Sequence, residues 1–336
     1  MKPYSFMIDA YSHITPQKYL DALTKASPML TADKVTTTPP LFDLDYRFRI
    51  MDKYEGLVQV LTLGWPAVEE VADAKKSVDL AKLANDEMAK LVEKYPERFV
   101  GAIACLPINN IEASLKEADR AIQDLRCRGV YVHSHVNGKP LDSPEFMPLY
   151  EKMSQYDLPI YIHPHRNEGF SDYTTEEESL YNICRIFGWP YDTTAAMTRL
   201  VFSGIMEKYP NLKVVTHHGG GMVPYYQERI IQHYSIHELK YHKEYFKGLT
   251  KAPIDYFRKF YADTAIHGNS TALKCAHECF GPDHIIFGCD MPLGDRQFGI
   301  RSYRQTINAI QAMDISDEDK KKIFEDNARE LLHLGI

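Results

Sequence analysis

The sequence predicts an α/β fold, a single (β/α)8 barrel of the TIM-barrel type, and three observations lead to it. Eight short apolar runs of strand length recur along the 336 residues. Between them lie segments whose apolar positions repeat with the helical period. Most of the runs close on His, Asp or an aromatic residue, as expected where barrel strands deliver a site to their C-terminal face.

The first run, Met7–His13 (MIDAYSH), reads as a strand whose alternate side chains Asp9, Tyr11 and His13 share one face, and that face is expected to point into the site. Residues 27–43 are polar, contain proline and follow neither period, so they read as a loop insertion able to cover the site. The remaining strands are predicted at 57–63 (LVQVLTL), 99–106 (FVGAIACL), 129–135 (GVYVHSH), 159–165 (PIYIHPH), 213–218 (KVVTHH), 260–267 (FYADTAIH) and 285–290 (IIFGCD). Helices are predicted over 68–94, 111–125, 144–156, 194–208 and 269–280, with two more after the last strand. A second insertion is expected at about 167–192, and residues 1–336 are read as one domain.

Composition narrows the partners. A formal net charge of −7 with no basic cluster disfavours nucleic acid and anionic membranes, which require a Lys/Arg surface. No apolar run approaches a membrane span, and MKPYSFMIDAYS lacks the apolar core of a signal peptide, so a cytoplasmic protein with a small-molecule partner is expected. The six cysteines form no C-x-x-C pair and read as reduced thiols of the core rather than disulfides or a zinc knuckle.

Strand ends can bring together a few His or carboxylate ligands around an open coordination position, which is what a hydrolytic or lyase metal site needs. The candidates are His13, His163 and Asp290. His163 precedes Pro164, which fixes the turn leaving its strand. Asp290 is followed by Met-Pro-Leu-Gly, a loop rather than a helix start, so a metal or acid–base role outweighs a helix cap. In His217-His218-Gly219-Gly220-Gly221, neighbours on a strand face opposite ways, and His218 is taken as the histidine that faces the site. The glycines lack the lysine of a phosphate loop.

IDAYSH, PIYIHPH, GWPYDTT, LVFSGIMEKYPNLKVVTHHGGG and IIFGCDMPLG together resemble, in order from Ile8 to Leu332, the amidohydrolase-related family of metal-dependent decarboxylases. That family includes aminocarboxymuconate-semialdehyde and γ-resorcylate decarboxylases. The resemblance implies an amidohydrolase-like barrel in which His13, His163 and Asp290 bind a divalent metal, zinc or manganese, and His218 is the catalytic histidine. It implies that Arg229 holds a substrate carboxylate, in a neighbouring subunit's site, and that Arg47 is structural. Tyr11 departs from the pattern, because this position is usually a metal-binding histidine. A phenol is a poor neutral ligand unless a metal lowers its pKa, so an altered but retained site is expected, with Tyr11 a possible ligand.

These readings combine into a metal-dependent decarboxylase acting on a small aromatic or unsaturated carboxylic acid, a homodimer, with Trp65, His135, Tyr225 and Tyr226 around the substrate and Asp290 or His218 moving the proton. Two alternatives use the same residues differently. One is a metal-dependent hydrolase of a lactone, ester or amide; the other is a metal-free member that kept the barrel and binds without turnover.

Overall fold

The eight apolar runs form eight parallel strands in the computed structural model, which describes residues 4–27, 35–234, 248–293 and 297–336. They are β1 Met7–His13, β2 Leu57–Thr62, β3 Phe99–Ala102 continued by Ala104–Cys105, β4 Val130–His133, β5 Ile160–His163, β6 Val214–Thr216, β7 Tyr261–Asp263 and β8 Ile285–Ile286. Each pairs in parallel with the next, from Met7 opposite Leu57 through Ala262 opposite Ile285. The ring closes between last and first strands: Ala10 N donates to Phe287 O at 2.8 Å and His13 N to Met291 O at 2.7 Å. With helices outside, this is the predicted (β/α)8 barrel.

Alternation along each strand sorts the side chains. Leu57, Leu61, Phe99, Val130, Val132, Ile160, Ile162 and Val214 pack outward under the helices. Val58, Val60, Tyr131, Tyr161, Val215 and Ile286 fill the barrel, with Leu331 and Leu332 joining them. The inward column continues two residues further on each strand, from Tyr131 to His133, Tyr161 to His163 and Val215 to His217. The barrel's apolar filling is therefore also what aims the histidines.

In β1 the expected common face of Asp9, Tyr11 and His13 is not found. The pairing with β2 shifts register between Asp9 and Ser12, so the alternation breaks there. Tyr11 joins the inner cluster, whereas Asp9 turns outward and accepts from Tyr303 Oη at 2.5 Å. Burial pushes the Asp9 carboxyl up to about 7, against the opposing pull of Tyr303, two backbone amides and Arg47. Arg47 lies in the same outer layer, fully buried. Its guanidinium donates to Gln59 Oε1 (2.7 Å), the His13 carbonyl (2.7 Å), the Pro40 carbonyl (3.1 Å) and Ser12 Oγ (2.6 Å). The arginine thus fixes the backbone that carries His13.

The predicted helices appear with breaks. Residues 68–94 split into Val68–Val71 and Lys76–Lys94, and 194–208 becomes Trp189–Phe202 and Ile205–Lys208. Gly204 at φ +80° separates the latter pair, a conformation that costs glycine little. Ile111–Gln123 and Ser270–Phe280 start where Asn110 and Asn269 accept hydrogen bonds from the backbone N–H groups of Ala113 and Ala272. The insertion expected at 167–192 is helical from Cys184 onward, so its irregular part ends sooner. Residues 28–34 of the 27–43 loop lie outside the described residues. The six cysteines are unpaired and five are buried. Among the described residues no helix is long and apolar enough to cross a membrane.

Candidate metal centre

Four strand ends converge at the barrel mouth: His13 from β1, His163 from β5, His217 after β6 and Asp290 after β8. One nitrogen each of His13, His163 and His217 lies within 4.8 Å of the others, and His217, His218 and Asp290 form a second trio within the same limit. His13 Nε2 is 3.1 Å and His217 Nε2 3.4 Å from Asp290 Oδ1, and His218 Nε2 is 4.0 Å from Asp290 Oδ2.

The other ring nitrogen decides what each imidazole offers. His13 Nδ1 sits 3.0 Å from the Leu63 carbonyl, and His163 Nδ1 2.7 Å from the Pro164 carbonyl. A carbonyl only accepts, so in both rings Nδ1 carries the hydrogen and Nε2 is left as the lone-pair nitrogen. His217 Nδ1 bonds to Asp263, whose other oxygen accepts from Gly219 N at 3.0 Å. Such outer partners are how proteins hold metal-binding histidines in tautomer and orientation.

Both adjacent histidines face the centre, contrary to the expectation that only His218 does. His217 is extended (φ −85°), but His218 lies at φ +55°, where the backbone turns back instead of continuing the pleat. Asp290 is likewise at φ +58°. Non-glycine residues in this region cost of order 1–3 kcal/mol each and concentrate at functional sites. Gly220 makes the turn possible: a Cβ there would lie 2.5 Å from the Phe280 ring.

His13 Nε2, His217 Nε2 and Asp290 Oδ1 are buried with no hydrogen-bond partner among the described residues. Several unpartnered polar atoms at one point are costly unless something shared satisfies them. A divalent cation does so, and three imidazoles with a carboxylate suit zinc and its first-row neighbours. The residues present therefore fit a metal. The electrostatics agree. Burial opposes ionisation of Asp290, yet His13, His217 and His218 hold its carboxyl well below the usual range. Burial, reinforced by the neighbouring imidazoles, drives His163 well down, and burial with His217 lowers His218. Burial disfavours charge on His217 too, but Asp263 and Asp290 outweigh it and raise its pKa to about 10, so a metal there competes with a proton. Tyr11 is pushed well above 10 by burial, then by Tyr131, Asp263, Tyr161 and Asp290, and stands as a neutral phenol.

The other expected site residues stand outside these two ligand trios. Trp65 is half-buried beyond β2. His135 is half-buried, its ring 4.8 Å from His165 and 5.7 Å from Phe170. Tyr225 and Tyr226 do not form an enclosed apolar wall within this chain: Tyr225 is 80% exposed and Tyr226 38%. Arg229 is exposed on the helix Gln227–His233, which has no buried residue. Trp189, in the GWPYDTT stretch, also lies against the centre, 5.9 Å from the His218 ring with 26° between the planes. Beside the centre, His165 Nε2 pairs with Glu70 at 2.9 Å and His133 Nδ1 approaches Glu69 at 3.8 Å. Sequence reading passed over Asp263's link to His217, Glu69 and Glu70, and Trp189. For His217 the signal was present, since it is two residues beyond the inward Val215.

The amidohydrolase family model matches residues 8–334. A γ-resorcylate decarboxylase of Polaromonas sp. is 30% identical, with 87% of each chain covered. The 2-amino-3-carboxymuconate-6-semialdehyde decarboxylase of Dictyostelium discoideum is 29% identical over 87% of this chain and 77% of its own. Among solved structures, 5-carboxyvanillate decarboxylase from Novosphingobium aromaticivorans, complexed with manganese and 4-hydroxy-3-methoxy-5-nitrobenzoic acid, superposes with a TM-score of 0.84 at 25% identity, covering 99% of this chain and 97% of that one. The dihydroxybenzoic acid decarboxylase of Polaromonas sp. JS666, with bound manganese and 2-nitroresorcinol, gives a TM-score of 0.76 at 26% identity, covering 99% and 98%. With nearly the whole chain matched and the histidine–aspartate centre at the barrel mouth, this chain belongs to the amidohydrolase family.

Proposed function

We propose that this chain is a metal-dependent decarboxylase, a carbon–carbon lyase acting on a small aromatic or unsaturated carboxylic acid. The observation that carries the reading is the convergence of unpartnered His13, His217 and Asp290 atoms with His218 beside them at the barrel mouth. The relatives named above are decarboxylases, and two solved ones hold manganese. His13, His163 and Asp290 would hold the metal, zinc or manganese. Bound there, a divalent cation supplies Lewis-acid stabilisation of the negative charge that builds on the substrate as CO2 leaves.

The chain's own residues do the rest. When the bond to the carboxylate breaks, its electron pair stays on the substrate carbon, which must take a proton. His218 is placed for that delivery: it is half-buried and faces the centre, with its Nε2 4.0 Å from Asp290 Oδ2. Trp189 offers a flat apolar surface over His218 and His163 against which an aromatic ring can lie. The buried floor of Tyr11, Tyr131 and Tyr161 keeps water from below.

Phe187, Tyr191, Tyr225 and Ile231 are exposed on the two segments that meet where Gly221 and Met222 contact Pro190 and Thr194. Apolar groups of this size left in water favour association with a second copy. They support a homodimer in which the exposed Arg229 serves the neighbouring site through its guanidinium fork. The unpaired cysteines accord with a cytoplasmic setting.

The test is isotopic, on a panel of hydroxybenzoates and unsaturated dicarboxylic acids in D2O and in 18O-labelled water. Deuterium on the product carbon that carried the carboxylate is the expected result. Incorporation of 18O into a product carboxylate, with no CO2 released, would establish the hydrolase reading instead.

A further inference from the structure

We propose that His217, oriented by Asp263, is itself a ligand of the metal and fills the coordination place that Tyr11 leaves empty. The proposal rests on the metal-dependent reading above. Among the described residues His217 is the one that belongs to both ligand trios, with His13 and His163 on one side and with His218 and Asp290 on the other. Its Nε2 is fully buried, has no hydrogen-bond partner among those residues, and points at Asp290 Oδ1 from 3.4 Å.

The rings of Tyr11 and His217 occupy the same floor. They are stacked, 4.1 Å between centroids and 15° between planes. A histidine at position 11 would reach the centre from the place now covered by the phenol, which lies flat against the imidazole on its apolar face. Opposite it, His217 is held as a donor should be. Asp263 anchors Nδ1 and turns Nε2 toward the centre, where a metal would displace its proton, much as carbonyls anchor Nδ1 of His13 and His163. The same carboxylate also accepts from Gly219 N (3.0 Å) and Ala265 N (3.1 Å), so one residue fixes both the imidazole and the turn that brings His218 in. The arrangement is a substitution within the centre: an imidazole donor lost from β1 is supplied by β6 across the barrel. Three imidazoles and one carboxylate complete a tetrahedral shell, so a substrate oxygen would enter as a fifth or sixth ligand, as first-row cations of higher coordination number allow.

The test uses full-length wild type, His217→Ala, Asp263→Asn, Tyr11→Phe and the double variant His217→Ala with Tyr11→His. Each is stripped with chelator, checked by far-UV circular dichroism, and titrated with Co2+ against a chromophoric competitor while the cobalt visible spectrum is recorded. His217→Ala is expected to weaken cobalt binding by at least roughly 100-fold and to alter the spectrum, and Asp263→Asn to weaken it by about 10- to 100-fold. Tyr11→Phe should leave both affinity and spectrum within about threefold of wild type, since the phenol is not a donor. The double variant should recover much of the affinity, which a purely structural loss at position 217 would not allow. Unchanged cobalt binding and spectrum in His217→Ala overturn the proposal, as does their loss in Tyr11→Phe. A wild type that binds no cobalt would overturn the metal reading itself, which distinguishes the two failures.

Discussion

Replacing His218 by asparagine is expected to lower kcat by roughly 100- to 10,000-fold, the usual contribution of a positioned general acid–base group. The metal content should stay at the wild-type level. His218 stands 4.0 Å from Asp290 Oδ2, further than His13 or His217 stand from Oδ1, and its ring lies against Trp189. An amide of similar size keeps the packing under Trp189 but carries no exchangeable proton of suitable acidity. Pre-steady-state CO2 release together with metal analysis checks this. Loss of metal in parallel with activity would move His218 into the coordination sphere, and unchanged kcat would remove it from the reaction.

The second large effect falls on stability. Arg47→Met should cost about 3–5 kcal/mol, the scale for removing one member of a buried charged network. Its fully buried guanidinium satisfies the His13 and Pro40 carbonyls, Ser12 Oγ and Gln59 Oε1. Methionine fills much of the volume but leaves those acceptors unpaired. Urea denaturation with an unchanged m-value reads the difference directly. Because Nη1 holds the carbonyl of His13 itself, metal binding should weaken as well. A loss under about 1 kcal/mol would mean that the layer repacks around the missing charge.

Much of this architecture was legible in the chain. Strand-length apolar runs and the helical period between them identify the barrel, because both faces of a parallel barrel strand are buried and each run must be continuous. His13, His163 and Asp290 were visible as polar residues ending apolar strands. What escaped reading lay where the backbone leaves regular geometry. Strict alternation put Asp9 on the site face, but a register shift between Asp9 and Ser12 reverses it. Alternation also set His217 against His218, and the positive φ of His218 lets both face inward. Counting by twos from Val215, which pairs with the inward Tyr161 of the neighbouring strand, would have marked His217 as inward. Trp189 and Asp263 act through contacts between elements remote in sequence, for which no local pattern exists. The breaks at residues 72–75 and 203–204 were equally hidden, since apolar spacing continues through them.

CO2 release by this chain is expected to require a divalent metal at this centre, a requirement on which the whole mechanism depends. It is tested most directly by stripping the protein with chelator and measuring CO2 release from a hydroxybenzoate substrate as manganese or zinc is titrated back. Negligible turnover is expected without metal, with a rise in proportion to bound metal up to one equivalent per chain. Full turnover in protein shown by plasma mass spectrometry to carry no metal would contradict it.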